Sequence, residues 1–129
     1  QADIVTIHTP LTAKTKNMVK KEQLFCMKKD AIIINTARGG IINEQDLYDV
    51  MQSKHLSGAA IDVFAFEPYN GKLQEIQRCI LTAHMGSMSV DCRTRMEIEA
   101  TEEVVRFLTN KSLEGVVPET EYAVQREGL

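Results

Sequence analysis

Ala31-Ile32-Ile33-Ile34-Asn35 is the stretch that decides the fold. Its aliphatic run lacks the in-and-out alternation of a half-exposed strand, so it suits a buried strand covered on both faces. Upstream lie a helical stretch, Lys21 to Met27, and a β-branched run, Asp3 to Ile7, of strand composition. Downstream, Asn43 is a plausible N-cap for a helix from Glu44 to about Ser53, with Glu44 and Asp46 opposing the positive end of the helix macrodipole. Leu47, Val50 and Met51 share one face of that helix. Ser57 to Phe64 reads as another buried strand, whose small residues suggest close packing against a helix, and Cys79 to Thr82 as a short fourth one. Strands separated by helices imply right-handed crossovers and a parallel sheet, an α/β fold.

The last helix spans Val90 to Leu108. Met96, Ala100, Val104 and Leu108 recur every four residues with Ile98 and Val105 beside them, and Arg95, Glu99, Glu102, Glu103 and Arg106 lie opposite. The stripe reads as core packing and the charges as a solvated face. Beyond Asn110, Gly115, Pro118, Gly128 and many charges predict an irregular or mobile tail to Leu129.

A chain of 129 residues with 43% hydrophobic and 26% charged residues has globular composition and could bury roughly two thirds of its unfolded surface. The net charge of −3 offers no basic surface for phosphates, so no nucleic acid is expected as a partner. The longest aliphatic run, Ala31 to Ile34, is far short of the ~20 residues that cross a bilayer, so no membrane is expected either. Cys26, Cys79 and Cys92 form an odd set without a C-x-x-C pair, which suggests reduced cytoplasmic thiols and no metal site. The sequence opens on Gln1-Ala2-Asp3 and runs at once into strand residues, so it reads like a chain entered in the middle.

In open parallel sheets ligands bind beyond the carboxyl ends of the strands, where loop amides and helix N-termini converge. The first strand ends at His8-Thr9-Pro10 and the second at Asn35-Thr36-Ala37-Arg38-Gly39-Gly40. The third leads from Asp62 to Glu67-Pro68, and the fourth to His84-Met85-Gly86. Taken singly, Arg38 is an ordinary turn residue, Asp62 a cap for a nearby amide, Glu67 loop chemistry, and each His structural. Gathered at one end of one sheet, they support a functional reading.

The runs Asn35 to Gly40, Gly58 to Phe64 with Glu67-Pro68, and Thr82 to Gly86, preceded by His8 to Thr12 and Thr15, resemble the D-isomer-specific 2-hydroxyacid dehydrogenase family. The resemblance runs from residue 2 to about 109. It implies a Rossmann-type, doubly wound parallel sheet of which this chain is the second half, followed by a long C-terminal helix. Residues 1–88 would be the C-terminal half of the dinucleotide-binding domain, and 89–129 the return helix toward a substrate domain plus the tail. The implied cofactor is NAD, with NADP an alternative; the implied ligand is a small 2-hydroxy acid or its 2-keto acid; and the implied assembly is a cytoplasmic homodimer.

Carried over residue by residue, Arg38 would bind the substrate carboxylate and polarise the reacting carbonyl, a task suited to a guanidinium fork. His84 would be the acid/base and Glu67 its hydrogen-bond partner, because a carboxylate beside an imidazole favours the imidazolium and keeps the proton donor loaded. Asp62 would accept a hydrogen bond from the nicotinamide carboxamide. Thr36, Ala37 and Gly86 would approach the nicotinamide through backbone groups, and His8, Thr9 and Pro10 would line the adenosine side.

Two departures stand out. Ala83 occupies the place of the family's usual Pro before the catalytic His, removing a fixed φ. No G-x-G-x-x-G follows a strand, so the chain is expected to be a piece of a larger enzyme, unable to turn over alone. Two rivals remain: an NADH-sensing corepressor scaffold of the same fold, like the C-terminal-binding proteins, and an inactive truncated module whose Asp3–Ile7 edge invites self-association.

Overall fold

A computed structural model describes residues 2–119. The elements are β1 (Ile4–Ile7), α1 (Lys21–Cys26), β2 (Ile32–Asn35), α2 (Glu44–Gln52), β3 (Gly58–Ile61), a 3-10 turn at Lys72–Glu75, β4 (Cys79–Leu81) and α3 (Val90–Leu108). All four strands are parallel, in the order β1-β2-β3-β4. Ile4 lies opposite Ile32, Ile32 opposite Gly58, and Ala59 opposite Cys79. Parallel pairing needs a crossover between successive strands, so every carboxyl end falls on one edge of the sheet.

The Asn43 carboxamide oxygen accepts the Asp46 N–H at 3.0 Å, capping α2 as the sequence predicts. From that start the helical period places Leu47, Val50 and Met51 inward, and all three are buried. They join Leu24 of α1, Ile33 of β2, and Ala59 and Ile61 of β3 in one core. Burial of each large aliphatic side chain there contributes roughly 1.5–3 kcal/mol.

Two expectations fail. The sheet is not covered on both faces among the described residues: α1 and α2 pack on the same side, while Ile4 and Ile80 are 57% and 68% exposed. The stripe on α3 is not core packing either, since α3 buries no residue and Met96, Ile98, Val104, Val105 and Leu108 are all exposed. A helical period shows that a helix has an apolar face; it does not show what covers that face.

Smaller differences have local causes. The third strand stops at Ile61 instead of reaching Phe64, because the Asp62 carbonyl turns to accept the His84 N–H at 2.8 Å and the Phe64 N–H goes to Glu67. The 3-10 turn over Lys72–Glu75 falls in a stretch read as loop. Residues 111–118 carry no helix or strand, as expected of an irregular segment; Glu114 and Gly115 donate their amides to Glu103, and the Arg106 guanidinium pairs with Glu114. The rest of the predicted tail, 120–129, lies outside the described residues.

Candidate active site

Asn35 ends β2 with its side chain buried, 2% exposed. Its carboxamide oxygen accepts the Ala37 N–H at 3.1 Å, and its nitrogen donates to the Arg38 carbonyl at 3.0 Å. This side-chain bridge closes the turn that carries Arg38 out of the sheet. Arg38 donates from one guanidinium nitrogen to the Ala37 carbonyl at 2.7 Å, and its side chain is otherwise exposed. Asn35→Leu keeps the volume but strands both backbone groups, so unfolding in urea is expected to show a loss of about 1–3 kcal/mol. Wild-type stability in that variant would refute the bridge.

Asp62 follows β3 and faces the end of β4. One carboxylate oxygen accepts both the Thr82 hydroxyl and, at 2.9 Å, the Met85 N–H. With the His84 N–H on the Asp62 carbonyl, these bonds hold His84 at φ 54°, in the left-handed region that non-glycine residues enter only when their surroundings fix them. Ala83 offers no proline ring to stiffen this turn, so these bonds do so. Burial pushes the Asp62 carboxyl up, but the Thr82 hydroxyl, the Met85 and His84 amides and the His84 side chain together outweigh it and hold the group below its ordinary 3.8.

Glu67 accepts the Phe64 N–H at 3.0 Å through one oxygen, and its other oxygen meets the His84 Nδ1 at 3.1 Å. The amide first, then the imidazole, holds the Glu67 carboxyl below its ordinary 4.5. Because both carboxylates are depressed in the folded state, their contribution is complete above those ordinary values and is lost as pH falls through the lowered ones. Acidification from neutrality is thus expected to leave the Asp62 and Glu67 bonds intact until pH drops below 3.8 and 4.5. Carboxylate NMR titration checks this, and a Glu67 midpoint above 4.5 would contradict it.

The structure therefore joins Asp62, Glu67 and His84 directly by hydrogen bonds. Arg38 is connected to them through Gly39, where a Cβ would lie 1.9 Å from the Phe64 carbonyl oxygen and 2.5 Å from the Ala65 nitrogen. Thr36 is exposed beside Arg38, whereas the Ala37 amide and carbonyl are both engaged within the turn. His8 lies beyond the end of β1 and bonds Thr6 at 2.9 Å, and the Pro10 carbonyl accepts the Thr15 hydroxyl at 2.7 Å. Among the described residues, no hydrogen bond joins His8, Thr9 or Pro10 to Asp62, Glu67 or His84. A cleft of about 580 Å³ runs beside Glu67, walled by Phe64, Tyr69, Leu81 and Thr82 but not by Arg38 or His84.

The donor set suits a nicotinamide head group and a small carboxylate. Asp62 has a second oxygen outside the bonds just described, the Arg38 fork is exposed, and a Cβ at Gly86 would meet nothing within 4 Å. Sequence reasoning missed Asn35, Gly39, Glu44 and Thr82 as parts of the site. Only Asn35 carried a local signal, an Asn two residues before the amide that it bonds.

A parallel sheet with an imidazole, carboxylates and a guanidinium beyond its carboxyl edge has the arrangement at which open α/β domains place their ligand sites. The model of the family described as D-isomer specific 2-hydroxyacid dehydrogenase, NAD binding domain, matches residues 1–86, and the chain belongs to that family. D-3-phosphoglycerate dehydrogenase of Bacillus subtilis (strain 168) is 41% identical over 107 residues, which is 82% of this chain and 20% of that protein. Hydroxypyruvate reductase of Thermotoga maritima is 34% identical over 112 residues, 84% of this chain and 37% of that protein. Among solved structures, NAD-dependent formate dehydrogenase from Staphylococcus aureus in complex with NAD superposes with a TM-score of 0.80 at 32% identity, covering 91% of this chain and 37% of that one. The chain thus spans well under half the length of these relatives.

Proposed function

We propose that these residues serve, in a complete protein of the family, the interconversion of a D-2-hydroxy acid and its 2-keto acid with a nicotinamide cofactor, NAD in preference to NADP. The observation that carries this reading is the bond from His84 Nδ1 to Glu67, which leaves Nε2 as the nitrogen free to exchange a proton with a ligand. Bound nicotinamide dinucleotide would supply or accept the hydride. His84 delivers a proton to the carbonyl oxygen during reduction and takes it back during oxidation, while Glu67 holds the ring through Nδ1. Arg38 grips the substrate carboxylate and draws electron density from the adjacent carbonyl. Asp62 anchors the His84 turn with one oxygen and offers the other to the nicotinamide carboxamide.

Residues 1–88 form the C-terminal half of the cofactor domain in this reading, and 89–129 begin the return toward a substrate domain. The match of residues 1–86 to the NAD binding domain model supports that division. A cytoplasmic setting accords with three unpaired cysteines, and a homodimer with the exposed apolar stripe of α3. The test is NADH oxidation by the complete protein with glyoxylate, hydroxypyruvate and related 2-keto acids. Turnover that requires Arg38 supports the reading, whereas tight NADH binding with no reduction of any keto acid would overturn it in favour of a sensor.

A further inference from the structure

Phe64 and Ala65 present two successive amides, and each is taken by a carboxylate. Phe64 donates to Glu67 at 3.0 Å, and Ala65 donates to Glu44 at 2.7 Å. Glu44 is the first residue of α2, twenty-one positions earlier in the chain. The turn between these amides and Pro68 has little else to hold it. Ala65 is exposed and Phe66 is 86% exposed, so no apolar burial fixes them. Phe64 stacks on Tyr69 with ring centroids 4.1 Å apart, which anchors one end of the turn but not its middle. Gly39 abuts the same backbone and limits how closely it can approach, but contact alone cannot pull it into place.

We propose that Glu44 is a positioning residue for the Glu67–His84 pair: from the start of α2 its carboxylate ties down the Ala65 amide, and thereby sets the adjoining Phe64 amide that orients Glu67. Asn43 fixes the start of the same helix, so the anchor point itself is capped. The link runs from Glu44 to Ala65, along the backbone to Phe64, through Glu67 to the imidazole. It rests on the reading of Glu67 and His84 given above, but its test does not depend on turnover.

A carboxylate at the first position of a helix also favours the helix dipole, and two variants separate the roles. Glu44→Asp keeps the charge at the helix start and shortens the reach by one methylene. Glu44→Gln discards the charge and keeps an oxygen at the same reach. NMR on the full chain would follow deuterium exchange at Ala65 and Phe64 together with the titration of the Glu67 carboxylate. Positioning predicts that Glu44→Asp speeds exchange at both amides by roughly tenfold, the loss of one charge-assisted bond, and moves Glu67 up toward its ordinary value. Glu44→Gln should retain most of the protection at Ala65 and Phe64, and Glu44→Asp, which keeps the charge at the helix start, should leave the α2 amides unaffected. The opposite order, with Glu44→Gln the more damaging and its effect confined to α2, would overturn the proposal. So would a Glu44→Asp variant in which Ala65 exchanges faster while Phe64 and Glu67 stay as they were. If His84 and Glu67 took no part in any reaction, these readouts would be unchanged while turnover survived His84→Gln, so the two failures are distinguishable.

Discussion

His84→Gln is expected to lower the rate of 2-keto acid reduction in the complete protein by about 10²- to 10⁴-fold, the range over which a positioned proton donor acts. Glutamine occupies similar space and can still hydrogen-bond Glu67 through its amide nitrogen, so the turn from Asp62 to Met85 should survive. That turn is held by backbone and Asp62 contacts in which the imidazole has no part. NADH affinity should therefore remain within a few-fold of the starting value, and the loss should appear in kcat. Full turnover in His84→Gln would remove His84 from the reaction, and with it the role of Glu67.

Gly39→Ala is expected to be the most damaging of the small substitutions. A methyl group there would sit 1.9 Å from the Phe64 carbonyl oxygen and 2.0 Å from its carbon, so backbone would have to move. Neither neighbour is the free end of a flexible side chain. Overpacking of this sort typically costs about 1–3 kcal/mol, and the cost here should lie at the upper end because two backbone segments are forced apart. The same displacement pulls Phe64 and Ala65 off Glu67 and Glu44, so stability and the Glu67–His84 bond should fail together. Urea unfolding measures the first, and the Glu67 carboxylate resonance the second. Gly40 makes the control: it sits at φ 77° with only the Leu11 side chain near, so Gly40→Asn, a residue that tolerates the left-handed region, should be mild. A Gly39→Ala variant as stable as the parent would show that the close approach is relieved at little cost.

Much of this architecture is legible in the chain itself. The aliphatic run at Ile32–Ile34 and the cap at Asn43 are local signals, and the elements built on them are present with ends displaced by a residue or two. The site was legible as a set of polar residues following successive strands, because parallel pairing alone gathers those ends. Its fastening was not. Nothing near Glu44 announces that its carboxylate meets Ala65, and nothing near Gly39 announces Phe64. Both contacts depend on the register between α2, β2 and the loop after β3, which is a tertiary quantity. The 3-10 turn before β4 likewise follows from that docking, since its local sequence is equally compatible with loop, whereas β4 itself lies within a residue of the strand expected over Cys79 to Thr82.

The exposed helix α3 bears on cooperativity. None of its nineteen residues is buried, so melting it removes nothing from the core formed by α1, α2 and the sheet. Most helical stability in proteins comes from packing of the apolar face, which α3 lacks, and two exposed Arg–Glu pairs at four-residue spacing add little. A chain built this way behaves as two thermal units: a sheet-based body with a sharp transition, and a helix that loses order gradually over a broad range. The far-ultraviolet helical signal and the aromatic signal of Tyr48 and Tyr69 should consequently part company on heating. Any segment that covers the stripe on α3 would fuse the two transitions into one, so the separation between them measures whether that face is occupied.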